Sequence, residues 1–61
     1  MDRFIIDIDV THDAFKPLPG QELRRILYAL GLDLEDGALS GYLHDHNGNK
    51  VGHFKFTKGD E

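Results

Sequence analysis

A chain of 61 residues with no cysteine has few ways to hold itself together. Neither a disulfide nor a thiolate-bound metal can tie its loops, so the fold must come from one apolar core. A domain this short buries only about 60% of the surface that its unfolded chain exposes, which excludes a second domain. Hydrophobic residues make up 39% of the sequence and four are phenylalanines, a composition too apolar and aromatic for disorder. Residues 1–61 therefore read as one small domain, with the polar end 58–61 expected to fray.

Three segments carry regular hydrophobic periods. Phe4, Ile6, Ile8 and Val10 alternate with Ile5, Asp7 and Asp9, which predicts a strand β1 over residues 3–10 with the first set buried and the second wet. Thr11, His12, Asp13, Pro17 and Pro19 then break the strand, and Phe15 is expected to plug the core from this loop. Leu23, Ile26, Leu27, Leu30 and Leu34 fall on one stripe of a 3.6-residue period, which predicts a helix α1 over 20–36. Glu22, Arg24, Arg25 and Asp33 are then expected to face water. Gly31 and Gly37 are both possible stops, and Gly37 is preferred because Leu34 extends the stripe past Gly31.

Residues 39–44 and 50–57 read as strands β2 and β3 around Asp45-His46-Asn47-Gly48-Asn49. A two-residue Asn47-Gly48 turn sets His44 opposite Val51. Tyr42, His44, His46, Val51 and His53 then share one face, and Leu43, Phe54 and Phe56 the other. A type I turn over Asp45–Gly48 with a glycine bulge sets Leu43 opposite Val51 and puts Tyr42 with Phe54 and Phe56. The second is preferred, because aspartate and glycine suit its first and fourth positions. Strand, helix and hairpin most simply assemble as an α+β fold of β-α-β-β order. The expected sheet is three-stranded, antiparallel and ordered β2-β3-β1, with the amphipathic helix on one face. The opposite face, with Ile5, Tyr42 or Val51 among charged residues, reads as a surface for a partner or a second copy.

Eleven acidic against seven basic residues give a net charge of −4, which argues against a nucleic-acid partner. No apolar run approaches the ~18 residues of a membrane span and no basic leader precedes an apolar stretch, so a cytoplasmic protein is expected.

Several segments resemble a group of very short proteins encoded in phages, prophages and bacterial genomes. They are Pro19-Gly20-Gln21-Glu22-Leu23-Arg24-Arg25-Ile26-Leu27, Leu34-Glu35-Asp36-Gly37, and the hairpin from Ser40-Gly41-Tyr42-Leu43-His44 through Asn47-Gly48-Asn49-Lys50-Val51-Gly52. Thr11 through Phe15 looks like that group's loop, one residue shorter. The resemblance implies a mobile-element accessory protein that binds a host or phage component, and it names no site. Members of the group often carry arginine or an aliphatic residue near the positions of His44 and His46.

His44, His46 and His53 are the one suggestive chemical cluster. In the two-residue-turn register they share a face, where three imidazoles could hold zinc with an open fourth position. In the bulged register His53 leaves that face, and all three are solvated hairpin histidines. Asp45, Asn47 and Asn49 imitate the start of a calcium loop, but that pattern needs glycine where Lys50 stands and glutamate where Phe56 stands, so a turn is the better reading. Asp7 and Asp9 lie on one strand face without the cleft that paired catalytic carboxylates require. Ser40 is the only serine and sits at a turn-like Ser-Gly step. The sequence therefore predicts no enzyme and no cofactor. Arg24, Arg25 and Tyr28 on the exposed helix side, with Tyr42, Asp7 and Asp9, are the candidate partner-binding residues. Asp33, Glu35, Asp36, Asp60 and Glu61 would add to an acidic surface. A host or phage protein is the expected partner, a homodimer the alternative.

Overall fold

A computed structural model describes residues 2–58. The chain forms β1 (Asp2–Ile8), a 3-10 turn (Asp13–Phe15), α1 (Pro19–Glu35), β2 (Ser40–His44) and β3 (Lys50–Lys58). The three strands make one antiparallel sheet in the order β1-β3-β2, so β3 is central and β1 and β2 are its edges. Read from the other edge, the same neighbours run β2-β3-β1. Lys58 ends β3 rather than starting a frayed tail, and residues 59–61, with Asp60 and Glu61 of the acidic set, lie outside the described residues.

Helix α1 begins with Pro19 at its first turn, where the missing N–H costs nothing. It ends on a complete Schellman motif. Gly37 takes φ 103°, its amide donates to the Leu34 carbonyl at 3.0 Å, and the Ala38 amide donates to the Asp33 carbonyl at 3.0 Å. Gly37 is thus the stop, and Gly31 lies inside the helix, exposed, with nothing within 4 Å of where a Cβ would stand. Gly31→Ala should therefore stabilise the protein by about 1 kcal/mol and raise the calorimetric midpoint by roughly 4–8 °C. An unchanged or lower midpoint would show that Gly31 serves something other than the helix.

The core joins Ile26 and Leu30 of α1, Leu43 of β2, Val51 and Phe54 of β3, and Phe15, which is 1% exposed. Ile8, Leu23, Leu34 and Ala38 pack around it. The 3-10 turn closes with the Phe15 amide on the His12 carbonyl at 3.0 Å and delivers Phe15 to α1.

The expected burial of the apolar set of β1 fails because of where the helix lies. Phe4, Ile6 and Val10 were expected inside, yet Phe4 and Ile6 are each 39% exposed, Val10 is exposed, and only Ile8 of that set joins the core. Helix α1 packs on β2 and the 3-10 turn, leaving β1 and the far half of β3 uncovered. Along this uncovered ribbon Phe4 packs on Phe56 at 4.7 Å between ring centroids and edge-on to Phe54 at 6.3 Å. Leu27, on the flank of the stripe, is also exposed.

The hairpin combines both predicted registers. Its turn is the preferred one: the Gly48 amide donates to the Asp45 carbonyl at 3.0 Å, Gly48 takes φ 87°, and His44 pairs with Lys50. A second irregularity then leaves Val51 without an opposite residue, and beyond it Leu43 pairs with Gly52 and Tyr42 with His53. That is the register of the two-residue turn. Tyr42 consequently does not share a face with Phe54 and Phe56 but stands exposed beside His53. The bulge also turns Val51 into the core instead of the outer face, because an extra residue breaks the two-residue alternation.

Candidate functional site

Glu22 is the residue that sequence reasoning misplaced most. Expected in water, it is 6% exposed at the first turn of α1. Its Oε2 accepts the His46 backbone amide at 2.8 Å and the Arg25 Nη2 at 2.8 Å. Arg25 Nη2 also donates to the His44 carbonyl at 3.1 Å. The pair thus clamps the hairpin turn to the start of the helix. The signal in the sequence was only an i, i+3 Glu-Arg pair, which on most helices is a solvated ion pair; the turn backbone that makes it a clamp is 24 residues away.

Asp45, also buried, organises the turn from within. Its Oδ1 accepts the amides of Asn47 and Asn49, each at 2.9 Å, and its Oδ2 accepts the Asn49 side-chain amide at 3.2 Å. Both oxygens of Asp45, the first residue of the calcium-loop imitation, are thus spent on the loop's own N–H groups.

Both carboxyls titrate below their ordinary values. For Glu22 the Arg25 guanidinium is the main cause, opposed by burial and helped by the His46 amide. For Asp45 burial pushes upward, but the hydrogen bonds from Asn49 and Asn47 together outweigh it. Asp9 is lowered as well, chiefly by the Thr11 hydroxyl at 2.7 Å and then by the Thr11 amide. A depressed carboxyl stabilises the fold above its unfolded-state pKa and loses that contribution as pH falls through the lower folded value. With ordinary values of 4.5 and 3.8 for Glu22 and Asp45, the thermal midpoint should be flat near neutrality and fall once the pH drops below this range. Combining Glu22→Gln with Asp45→Asn should flatten the acid limb, measured by thermal melts across pH. An acid limb of unchanged steepness would remove the clamp from the account.

The partner-binding candidates separate into two groups. Arg24, Arg25 and Tyr28 come together with Gln21 around a shallow depression on the outward side of α1. Arg25 also borders a groove shared with Ala29, Asp33, Tyr42 and His44, so the surface continues from the helix over the edge of β2 to Tyr42. Arg25 is held by Glu22 and His44 and forms the fixed rim of this surface. Tyr28 is 73% exposed, and Leu32, one turn on, is exposed beside it.

Asp7 belongs to the outer sheet face, in a row that runs Tyr42, His53, Asp7 across the three strands. Asp9 does not continue that strand face. It lies beyond β1, and its carboxylate caps Thr11. Lys50 lies over the Tyr42 ring at 4.4 Å from Nζ to centroid, an arrangement the sequence did not suggest.

Among the described residues no three histidine or carboxylate side chains converge into a metal-holding group; His44 and His53 stay on neighbouring strands and His46 sits in the turn. No described helix is long and apolar enough to cross a membrane. No protein-family model, curated protein or solved structure matches the chain.

Proposed function

We propose that this chain is a small non-enzymatic binding protein that docks on another protein, a host or phage component, through the outward face of α1. The observation that carries the reading is Tyr28, 73% exposed on a rigid helix and flanked by Arg24 and the fixed Arg25 guanidinium. Tyrosine and arginine dominate binding hot spots because each offers a large contact surface with a polar end. The chemistry of the acids agrees. Among the described residues Asp9, Glu22 and Asp45 are pushed down and bound into a turn or a clamp, whereas a general acid needs a carboxyl held up near neutral pH. The resemblance of residues 19–27, 34–37 and 40–52 to short phage and prophage proteins supplies the setting, an accessory protein of the cytoplasm that could inhibit a host defence protein.

The test is a nuclease-treated pull-down from the protein's own host, comparing wild type with Tyr28→Ala and Arg24→Ala. One stoichiometric protein partner is expected, weakened roughly thirtyfold by Tyr28→Ala, as for an interface hot spot. A partner retained equally by Tyr28→Ala, or no partner at all, sinks the reading.

A further inference from the structure

Among the described residues, no strand pairs with the outer edge of β1. In β1-β3-β2 order only one side of β1 meets β3, and the edge carries neither a proline nor a bulge to discourage pairing. Which of its backbone groups point outward follows from two hydrogen bonds. The Phe56 amide donates to the Leu39 carbonyl of the β2 side, so by alternation Lys55 and Thr57 direct their backbone groups toward β1. Their partners Ile5 and Arg3 point inward, leaving Phe4 and Ile6 to point out. The Asp9 amide on the Val51 carbonyl at 2.7 Å fixes the same alternation from the other end.

We propose that this edge pairs with a second copy of the same chain, antiparallel and with its two-fold axis at Ile5. In that register Phe4 faces Ile6 of the partner copy, and both residues have outward amides and carbonyls to exchange. Arg3 faces Asp7 of the partner copy, and Asp7 faces its Arg3. Shifting the axis to Phe4 or to Ile6 keeps the backbone bonds but sets Ile5 opposite Arg3 or Asp7. From Arg3 to Asp7 the Ile5-centred register matches apolar with apolar and cation with anion at every position, leaving only Asp2 opposite Ile8 at the two ends, and this central self-complementarity is what selects a second copy as the occupant. The side chains that point to the helix side, Phe4 and Ile6 with Phe56 beside them, are the exposed apolar set that α1 leaves uncovered. The pairing joins the two sets into one apolar floor at the centre of a six-stranded sheet. This surface is separate from the outward face of α1, so the inference does not depend on the function proposed above.

The experiment measures molar mass by light scattering across a concentration series for wild type, Arg3→Asp, Asp7→Arg and the double exchange, with circular dichroism confirming that each folds. A dimer is expected, weakened about tenfold or more by either single reversal, which sets two like-charge pairs across the axis, and restored by the double exchange. A monomer at high micromolar concentration, a mass that grows beyond the dimer, or a dimer indifferent to the single reversals overturns the proposal. Because Arg3 and Asp7 are both exposed, and Arg24 and Tyr28 remain intact, loss of the dimer leaves the pull-down as an independent test of the first reading.

Discussion

Replacing Gly52 by alanine is expected to cost the protein most of its stability. A Cβ at this position would overlap the Asp7 carbonyl oxygen and stand 2.9 Å from the Ile8 Cα. Both obstacles are backbone of β1, which cannot rotate aside as a side chain can. The closeness arises where Val51 bulges out of β3 and the strand bends against its neighbour. Overpacking usually costs about 1–3 kcal/mol, and here the only relief is to move β1, so a loss of at least about 3 kcal/mol is expected. A domain of this size is stable by roughly 3–9 kcal/mol in total. Chemical denaturation should therefore show a midpoint shifted far toward zero denaturant, with exchange protection lost first in the β1–β3 ladder. Gly31→Ala is the control, since it makes the same chemical change where space is open. A Gly52→Ala protein within about 1 kcal/mol of wild type would place β1 farther from β3 than described.

Truncating Phe15 should be equally damaging by the opposite mechanism. Phe15 is the most buried large side chain and comes from a turn of three residues, so nothing nearby in sequence can collapse into its place. Phenylalanine-to-alanine changes in cores cost about 3–5 kcal/mol, from lost transfer free energy and the cavity left behind. The expected result is a chain unfolded or barely folded at room temperature, detected as loss of a cooperative melt. Phe15→Leu, which keeps most of the volume, should recover the transition with a midpoint lower than wild type. Cooperative melting of Phe15→Ala near the wild-type temperature would mean that α1 does not rest on the 3-10 turn. Phe4→Ala offers a contrast: Phe4 is as aromatic, but 39% exposed on the uncovered ribbon, and its removal should cost less than that of Phe15.

The sequence by itself determined what depends on neighbours along the chain. The stripe from Leu23 to Leu34 specified a helix, Gly37 its left-handed stop, and Asp45 and Gly48 the turn, because a helical period, a Schellman motif and a type I turn are all decided within a few residues. It also brought Arg24, Arg25 and Tyr28 onto one surface, since helix spacing alone does so. The α+β class and the antiparallel sheet followed from the order of the elements. Only the tertiary structure decided the rest. Alternation in β1 showed that one face differs from the other, but whether Phe4 and Ile6 are covered depends on where α1 lies, and α1 lies over β2 and the 3-10 turn. The faces of the hairpin depended on the Val51 bulge, one unpaired residue that reverses every inside–outside assignment beyond it. Glu22 became a buried clamp rather than a surface charge because a backbone amide 24 residues away needed an acceptor, and no local pattern announces a partner so distant in the chain.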